Sequence, residues 1–247
     1  DACPLTNRIP DWLQAAAQGD IRRAAGIAHA TSPLPEVCGR LCPQHRLCEG
    51  ACTRAKEDGA VTIGAIEQYL SDTALAQGWR PAAPATRNGK KIAVIGAGPA
   101  GLACADFLNR AGCTVTIHDR HTDIGGLLAT GVPPFKLEKS VLAMRQALWE
   151  QAGIGFRLGV HIDTARLRDM LAENAAVFLG TGAQTARAVA LKGQQLTGVY
   201  PALDYLGGVN AGRRTTLAGR HVLVLGSGDT AMDCARGAIR DGAVSVT

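Results

Sequence analysis

Aromatic side chains are scarce in this chain: three Trp, three Tyr and four Phe amount to 4% of its 247 residues. The basic residues are scattered and the formal net charge is only +5, so the interleaved basic and aromatic surface that binds nucleic acid has no support. Long apolar runs are also missing. Gly, Asp or Arg interrupts each one well short of a membrane span, and no charged-then-apolar leader opens the sequence, so the chain is expected to be cytoplasmic with no membrane span. Paired Cys-x-x-Cys knuckles are absent, as is any Ser/His/Asp or Cys/His arrangement for nucleophilic catalysis. No catalytic acid or base is therefore assigned. A hydrophobic content of 47% and the lack of low-complexity segments point away from disorder and towards one large or two ordinary globular domains.

Glycine is abundant, and two glycine-rich turns organise the reading. Gly96-Ala97-Gly98-Pro99-Ala100-Gly101 follows the apolar run Ile92-Ala93-Val94-Ile95, and Gly226-Ser227-Gly228-Asp229-Thr230-Ala231 follows Val222-Leu223-Val224-Leu225. In such a turn the first glycine makes the strand-to-helix bend, the second admits a pyrophosphate to the backbone, and the third, Ala231 in the second copy, lets the helix pack on the strand. The helix N-terminus then holds the phosphate charge. Asp119 ends the next expected strand where a ribose-binding carboxylate belongs. Two turns on one chain imply two dinucleotide sites and electron traffic between them.

Around these turns the chain divides into an expected helical domain with a linker at 1–88, a nucleotide-binding fold at 89–185 and the start of a second at 186–247. Helices are expected at 11–17, 21–30 and 63–77, the last with Ile63, Ile66, Leu70 and Ala74 on one face. The stretch 78–89, rich in Pro and Ala without periodicity, reads as a linker. Strands are expected at 91–95, 114–118, 176–179, 222–225 and 243–246, and helices at 99–111 and 136–151. The crossover rule makes both units parallel sheets with helices on their faces. A doubly wound fold needs more strands than follow Gly226, so truncation at the C-terminus is expected.

Five of the eight cysteines lie in the helical part: Cys3 before a proline, and Cys38, Cys42, Cys48 and Cys52 within fifteen residues, on expected irregular ground between the second and third helices. In a cytosolic chain such crowding points to metal. Their spacing suits an iron–sulfur cluster better than zinc, with unmetallated thiols the remaining possibility. Cys104, Cys113 and Cys234 are scattered and read as structural. His45 reads as a solvated histidine.

The cysteine block 37–52, the run 59–67, the Gly96 turn, Asp119-Arg120-His121 with Ile124-Gly125-Gly126-Leu127-Leu128, Pro134-Phe135-Lys136-Leu137, and the segment 226–233 together resemble the small (β) subunit of NADPH-dependent glutamate synthase. The N-terminal module of dihydropyrimidine dehydrogenase shares the pattern. The resemblance covers essentially the whole chain. It implies an α-helical iron–sulfur domain followed by an α/β doubly wound, Rossmann-like FAD domain with an inserted NAD(P)-binding domain.

Two 4Fe-4S clusters are implied for the complete protein. Cys3, Cys42 and Cys48 would serve one, with Glu67 as an unusual fourth ligand or else a plain solvent-facing carboxylate. Cys52 would serve the other, its partners in a cysteine motif before Asp1; Cys38 has no implied role. Gly96, Gly98, Pro99, Ala100 and Gly101 would cradle FAD, with Asp119 and Arg120 at its adenosine end and Gly126 and Leu127 beside the flavin. Lys136 reads equally as a cofactor contact or a surface lysine. Gly182 belongs to the turn leaving the FAD fold, or to a plain loop. Gly226, Gly228, Asp229, Thr230 and Ala231 would hold NADPH, chosen over NADH on family likeness alone.

The activity implied is oxidation of NADPH with electrons passed through FAD and the clusters to a large glutamate synthase subunit, in a hetero-oligomer. A stand-alone or ferredoxin-coupled oxidoreductase is the second reading. A non-catalytic iron–sulfur and nucleotide-binding module is the third.

Overall fold

The computed structural model describes residues 2–183, 185–186, 191–213 and 216–247. The boundary expected between 185 and 186 adjoins residues outside this set. The N-terminal part is helical. α1 (Ile9–Ala17) starts with Pro10 in its first turn, and α2 (Ile21–Thr31) is capped by Asp20, whose side chain accepts from the Arg23 N–H at 3.0 Å. That bond satisfies one of the donors every helix start leaves open. With α4 (Ile63–Ala76) they enclose a core of Trp12, Ala15, Ala24, Ala25, Ala28, Ile63, Leu70 and Ala74. Trp12 is fully buried, and its indole N–H is satisfied by Asn7 Oδ1 at 2.9 Å.

Between them lies an element the periodicity did not suggest. α3 (Pro35–Leu41) carries Cys38, so the cysteine block begins on a helix and continues on irregular chain. Seven residues with a glycine in the middle give little periodic signal. That glycine is required: a Cβ on Gly39 would sit 2.6 Å from the Gln68 nitrogen of α4.

The second part is a four-stranded parallel sheet in the order β3-β2-β1-β4, from β1 (Lys91–Ile95), β2 (Thr114–His118), β3 (Gly155–Arg157) and β4 (Ala176–Leu179). Around it lie α5 (Pro99–Arg110), the short α6 (Leu127–Thr130), α7 (Lys139–Gln151) and α8 (Thr164–Glu173). α7 starts three residues later than the sequence suggests, because the chain first turns through Pro133 and Pro134, with the Lys136 N–H on the Pro133 carbonyl at 3.0 Å. β3 and α8 were not anticipated; α8 is capped by Asp163 accepting from the Arg166 N–H at 2.8 Å.

The third part holds α9 (Ala202–Asn210), also unanticipated, then β5 (His221–Val222), α10 (Asp229–Arg240) and β6 (Ser245–Val246), with β5 and β6 parallel. The two strands are shorter than expected, and Leu223, Leu225 and Val244 beside them are exposed.

The helical part is docked on the sheet. Leu34 and Val37 share one core with Val94, Ile117, Leu137 and Trp149. The expected linker is pinned as well: Arg87 donates to Asn109 Oδ1 at 2.7 Å and to the Cys113 carbonyl at 2.6 Å. Beneath it lies a buried ionic cluster in which Arg145 donates to Glu36 through Nε (2.7 Å) and Nη2 (2.5 Å) and meets His29 Nε2 at 2.9 Å. Because His29 Nδ1 faces the Ala25 carbonyl at 2.9 Å, the proton sits on Nδ1 and Nε2 accepts from the arginine.

Candidate functional site

The order β3-β2-β1-β4 places β1 between neighbours on which the chain winds in opposite senses. The crevice beyond the carboxyl ends of β1 and β4 is the switch point where open α/β sheets bind ligands. The first glycine turn lies there. Gly96 has φ +110°, and a Cβ on it would fall 2.2 Å from the Gly180 carbonyl oxygen, whose own N–H bonds Ile95 at 2.7 Å. A Cβ on Gly101 would meet the Gly96 carbonyl at 1.9 Å. Gly98 differs from both: nothing lies within 4 Å of its Cβ direction, and Pro99 and Ala100 beside it are exposed at the start of α5. Two glycines therefore close the turn, and the middle one opens it to an incoming group at a helix N-terminus.

Asp119, at the end of β2, is buried and braces this turn. One carboxylate oxygen accepts from the Ala97 N–H at 2.6 Å and the other from the His121 N–H at 2.8 Å. Each oxygen keeps a further lone pair for a hydroxyl. Arg120 next to it is exposed. Gly126, with φ +54°, lies over the turn, where a Cβ would stand 3.0 Å from the Gly98 Cα, and Leu127 after it is 38% exposed. Lys139 anchors this second layer by donating to the carbonyls of Leu128 (2.8 Å) and Val132 (2.6 Å), and burial draws its ammonium down to about 8. Gly182, with φ +68°, is exposed just past β4.

The second turn repeats the first in its backbone. Gly226 has φ +138°, and Gly228 has φ −82° and ψ 177° against −77° and 177° at Gly98. Gly228 also has nothing within 4 Å of its Cβ direction. Asp229 and Thr230 are exposed at the start of α10, and Ala231 is buried against the Gly226 turn.

In the helical part, Cys42 lies within electrostatic reach of Cys3, Cys48 and Glu67. The nearness of the Cys38 and Cys42 thiols to each other holds Cys42 below the ordinary thiol range and, with burial, Cys38 above it. Burial first, then the nearby Cys38 and Glu36, raises the Glu67 carboxyl to about 8. Cys52 accepts from the Val61 N–H at 3.5 Å. Among the described residues no three His, Cys, Asp or Glu side chains converge on a point that one ion could occupy. A cubane cluster makes a different demand, since its irons stand at separate corners and each takes its own thiolate. Cys3, Cys42 and Cys48 could meet three such corners, with the Glu67 carboxyl of α4 within electrostatic reach of Cys42. Of the scattered cysteines, Cys113 and Cys234 are buried and Cys104 is partly so.

Three polar contacts were missed by sequence reading. Lys136 is paired with Asp233 of α10 at 3.0 Å, while Glu36 with Arg145, and Lys139 with its two carbonyls, tie other segments together. The first two pairs join residues 97 and 109 positions apart. No local pattern encodes them.

Comparison with known proteins adds family likeness to this geometry. Residues 1–79 match the model of dihydropyrimidine dehydrogenase domain II, 4Fe-4S cluster, and residues 58–167 and 90–247 match that of pyridine nucleotide-disulphide oxidoreductase. The chain is 51% identical to a glutamate synthase [NADPH] small chain of Halomonas elongata, over 99% of this chain and 54% of that protein. It is 48% identical to the putative oxidoreductase AegA of Escherichia coli, over 99% of this chain and 39% of that one. The chain thus spans about half the length of the small chain it matches. Among solved structures, a 2-naphthoyl-CoA reductase complex shares the fold, at TM-score 0.57 and 20% identity over 96% of this chain and 32% of that one. Among the described residues, no helix is long and apolar enough to cross a membrane.

Proposed function

Because the chain belongs to the pyridine nucleotide-disulphide oxidoreductase family, we propose that it is the electron-entry part of an NADPH-oxidising iron–sulfur flavoprotein of the glutamate synthase small-chain type. The observation that carries this reading is the pair of glycine turns with matching backbone at Gly98 and Gly228, each open towards solvent at a helix start. A cysteine-rich helical part docked on the first fold accompanies them. We assign residues 1–88 to the iron–sulfur domain, 89–185 to the FAD fold and 186–247 to an NADPH fold inserted in it.

Bound FAD and NADPH supply hydride transfer, and 4Fe-4S clusters supply one-electron steps. The chain's own residues bind and orient. Gly98, with Pro99 and Ala100, leaves the pyrophosphate a close approach to the backbone, and the N-terminus of α5 offsets its charge. Asp119 holds Ala97 and His121 in place and accepts from a ribose hydroxyl with its remaining lone pairs. Arg120 flanks the adenosine. Gly126 and Leu127 border the flavin, and Lys139 keeps that border from shifting. Gly182 carries the chain out of the FAD fold. Gly226, Gly228, Asp229, Thr230 and Ala231 repeat the cradle for NADPH. Cys3, Cys42, Cys48 and Glu67 hold one cluster and Cys52 contributes to a second. The electron acceptor is the large glutamate synthase subunit, which makes the assembly a hetero-oligomer.

The likeness to the putative oxidoreductase AegA favours a second reading, the same electron-entry module serving a different acceptor. One experiment tests the shared core of both. Protein purified without oxygen should carry flavin and iron together and reduce a dye with NADPH. Stoichiometric zinc without iron, or no flavin, would overturn it. Ammonia- or glutamine-dependent glutamate formation on adding the large subunit would then separate the two readings.

A further inference from the structure

We propose that the Lys136–Asp233 ion pair is a latch that holds the second nucleotide fold against the flavin-side loop of the first and so sets how the two bound dinucleotides approach one another. The inference rests on the functional reading above for its consequence, but its structural content stands on contacts alone. Asp233 lies four residues past Asp229 on α10, so its place is rigidly tied to the Gly228 turn. Lys136 follows Pro133 and Pro134 in the turn between α6 and α7, nine residues after Leu127. The pair therefore links the helix that starts at one cradle to the loop that borders the other.

The pair is obligatory rather than decorative. The Asp233 side chain is 8% exposed and that of Lys136 29% exposed, at 3.0 Å. The second carboxylate oxygen, Oδ1, is sealed from solvent and has no hydrogen-bond partner among the described residues. Among the described residues Lys136 is the ion-pair partner of this carboxylate, and an unpaired carboxylate there is strongly disfavoured. Two further contacts cross the same junction: the Arg240 guanidinium stands 4.0 Å over the Phe135 ring, and Asn210 of α9 donates to the Thr130 carbonyl of α6 at 2.8 Å. Opening the latch would hydrate Asp233 and release α10 from the loop. It would leave each glycine turn intact, because the two side chains bond each other and not a turn residue. Displacement between reacting partners by a fraction of their contact distance lowers a rate while leaving separate binding events unchanged.

The test compares Asp233→Asn, Lys136→Gln, Lys136→Arg and the exchange Lys136→Asp with Asp233→Lys in the full chain. Backbone amide exchange should accelerate at 135–138 and 229–240 in the first two variants, stay slow in Lys136→Arg, and recover in part in the double exchange. The strand 91–95 should be unaffected in all of them. In single-turnover mixing with NADPH, the limiting rate of flavin bleaching should fall on the order of tenfold in the first two variants, with flavin content and nucleotide affinity retained. Unchanged exchange in both segments would overturn the latch. Accelerated exchange with an unchanged limiting rate would overturn its positioning role and leave it a structural contact. Should the variants show the exchange pattern while the unaltered protein shows no flavin bleaching at all, the functional reading fails and the latch survives.

Discussion

Replacing Arg145 with Met should cost about 3–5 kcal/mol, the penalty for stranding one partner of a buried ion pair. The size follows from the surroundings. The Arg145 and Glu36 side chains are 1% and 0% exposed, and two short bonds of 2.7 and 2.5 Å join them. Met fills much of the space left by the arginine stem but donates to neither Glu36 nor His29 Nε2, so a lost hydrogen bond adds about 1 kcal/mol.

Acid dependence sharpens the test. Burial first, and the Arg145 charge second, lower His29 from 6.5 to about 3. Its folded value thus lies below its unfolded one, so the folded state binds fewer protons between these values. Stability from this group is complete above about pH 6.5 and is lost as pH falls towards 3, at up to about 1.4 kcal/mol per pH unit. In Arg145→Met the second cause disappears, and the stranded Glu36 can shed its charge only by taking up a proton. The variant should therefore lose less stability than the parent between pH 7 and pH 5.

Urea unfolding followed by tryptophan emission reads the effect, since Trp149 lies 5.6 Å from the Arg145 guanidinium and Trp79 packs on His29 at 4.7 Å. Glu36→Met with Arg145→Met, which removes both charges, should recover most of the loss. A deficit under about 1 kcal/mol in the single variant at pH 7, with the parent's pH slope, would refute the assignment of this cluster as the fastener between the helical part and the sheet.

Gly98→Ala should fold normally, because its Cβ meets nothing within 4 Å, yet lose flavin by about tenfold or more where the pyrophosphate needs that space; equilibrium dialysis with FAD beside a melting curve checks both halves. Gly101→Ala should instead fail in the fold itself, as its Cβ would lie 1.9 Å from the Gly96 carbonyl, and a melting temperature equal to the parent's would contradict this. Cys42→Ser and Cys48→Ser should each remove one cluster's iron and loosen the helical part, because bound metal contributes to folding; iron analysis of anaerobic protein that shows no loss in either would take both out of the site.

The glycine turns were legible in the sequence because everything they require is local. Gly96, Gly98 and Gly101 sit within six residues, and the strand before and helix after them follow from neighbouring periodicity. The place of Asp119 at the end of β2 was legible for the same reason, one strand-helix-strand unit away, although sequence alone did not reveal that both its oxygens brace the turn at Ala97 and His121. The short elements were not legible. α3 has a proline start and a central glycine, and β3 spans three residues; neither is long enough to display a period.

Lys136 marks the sharper boundary. Its local motif left it evenly poised between cofactor contact and surface lysine, and the structure commits its ammonium to Asp233, a partner 97 residues away. The same holds for Glu36 and Arg145, 109 residues apart. The two kinds of information have different jobs in this molecule. Local glycine geometry makes two separate cradles of nearly identical backbone, and cradles alone do not make an electron path. Ion pairs between distant segments join α10 to the turn before α7, and α3 to α7 itself. Distances between redox groups govern transfer, so the residues that hold those distances should control rate while the residues of the glycine turns control occupancy.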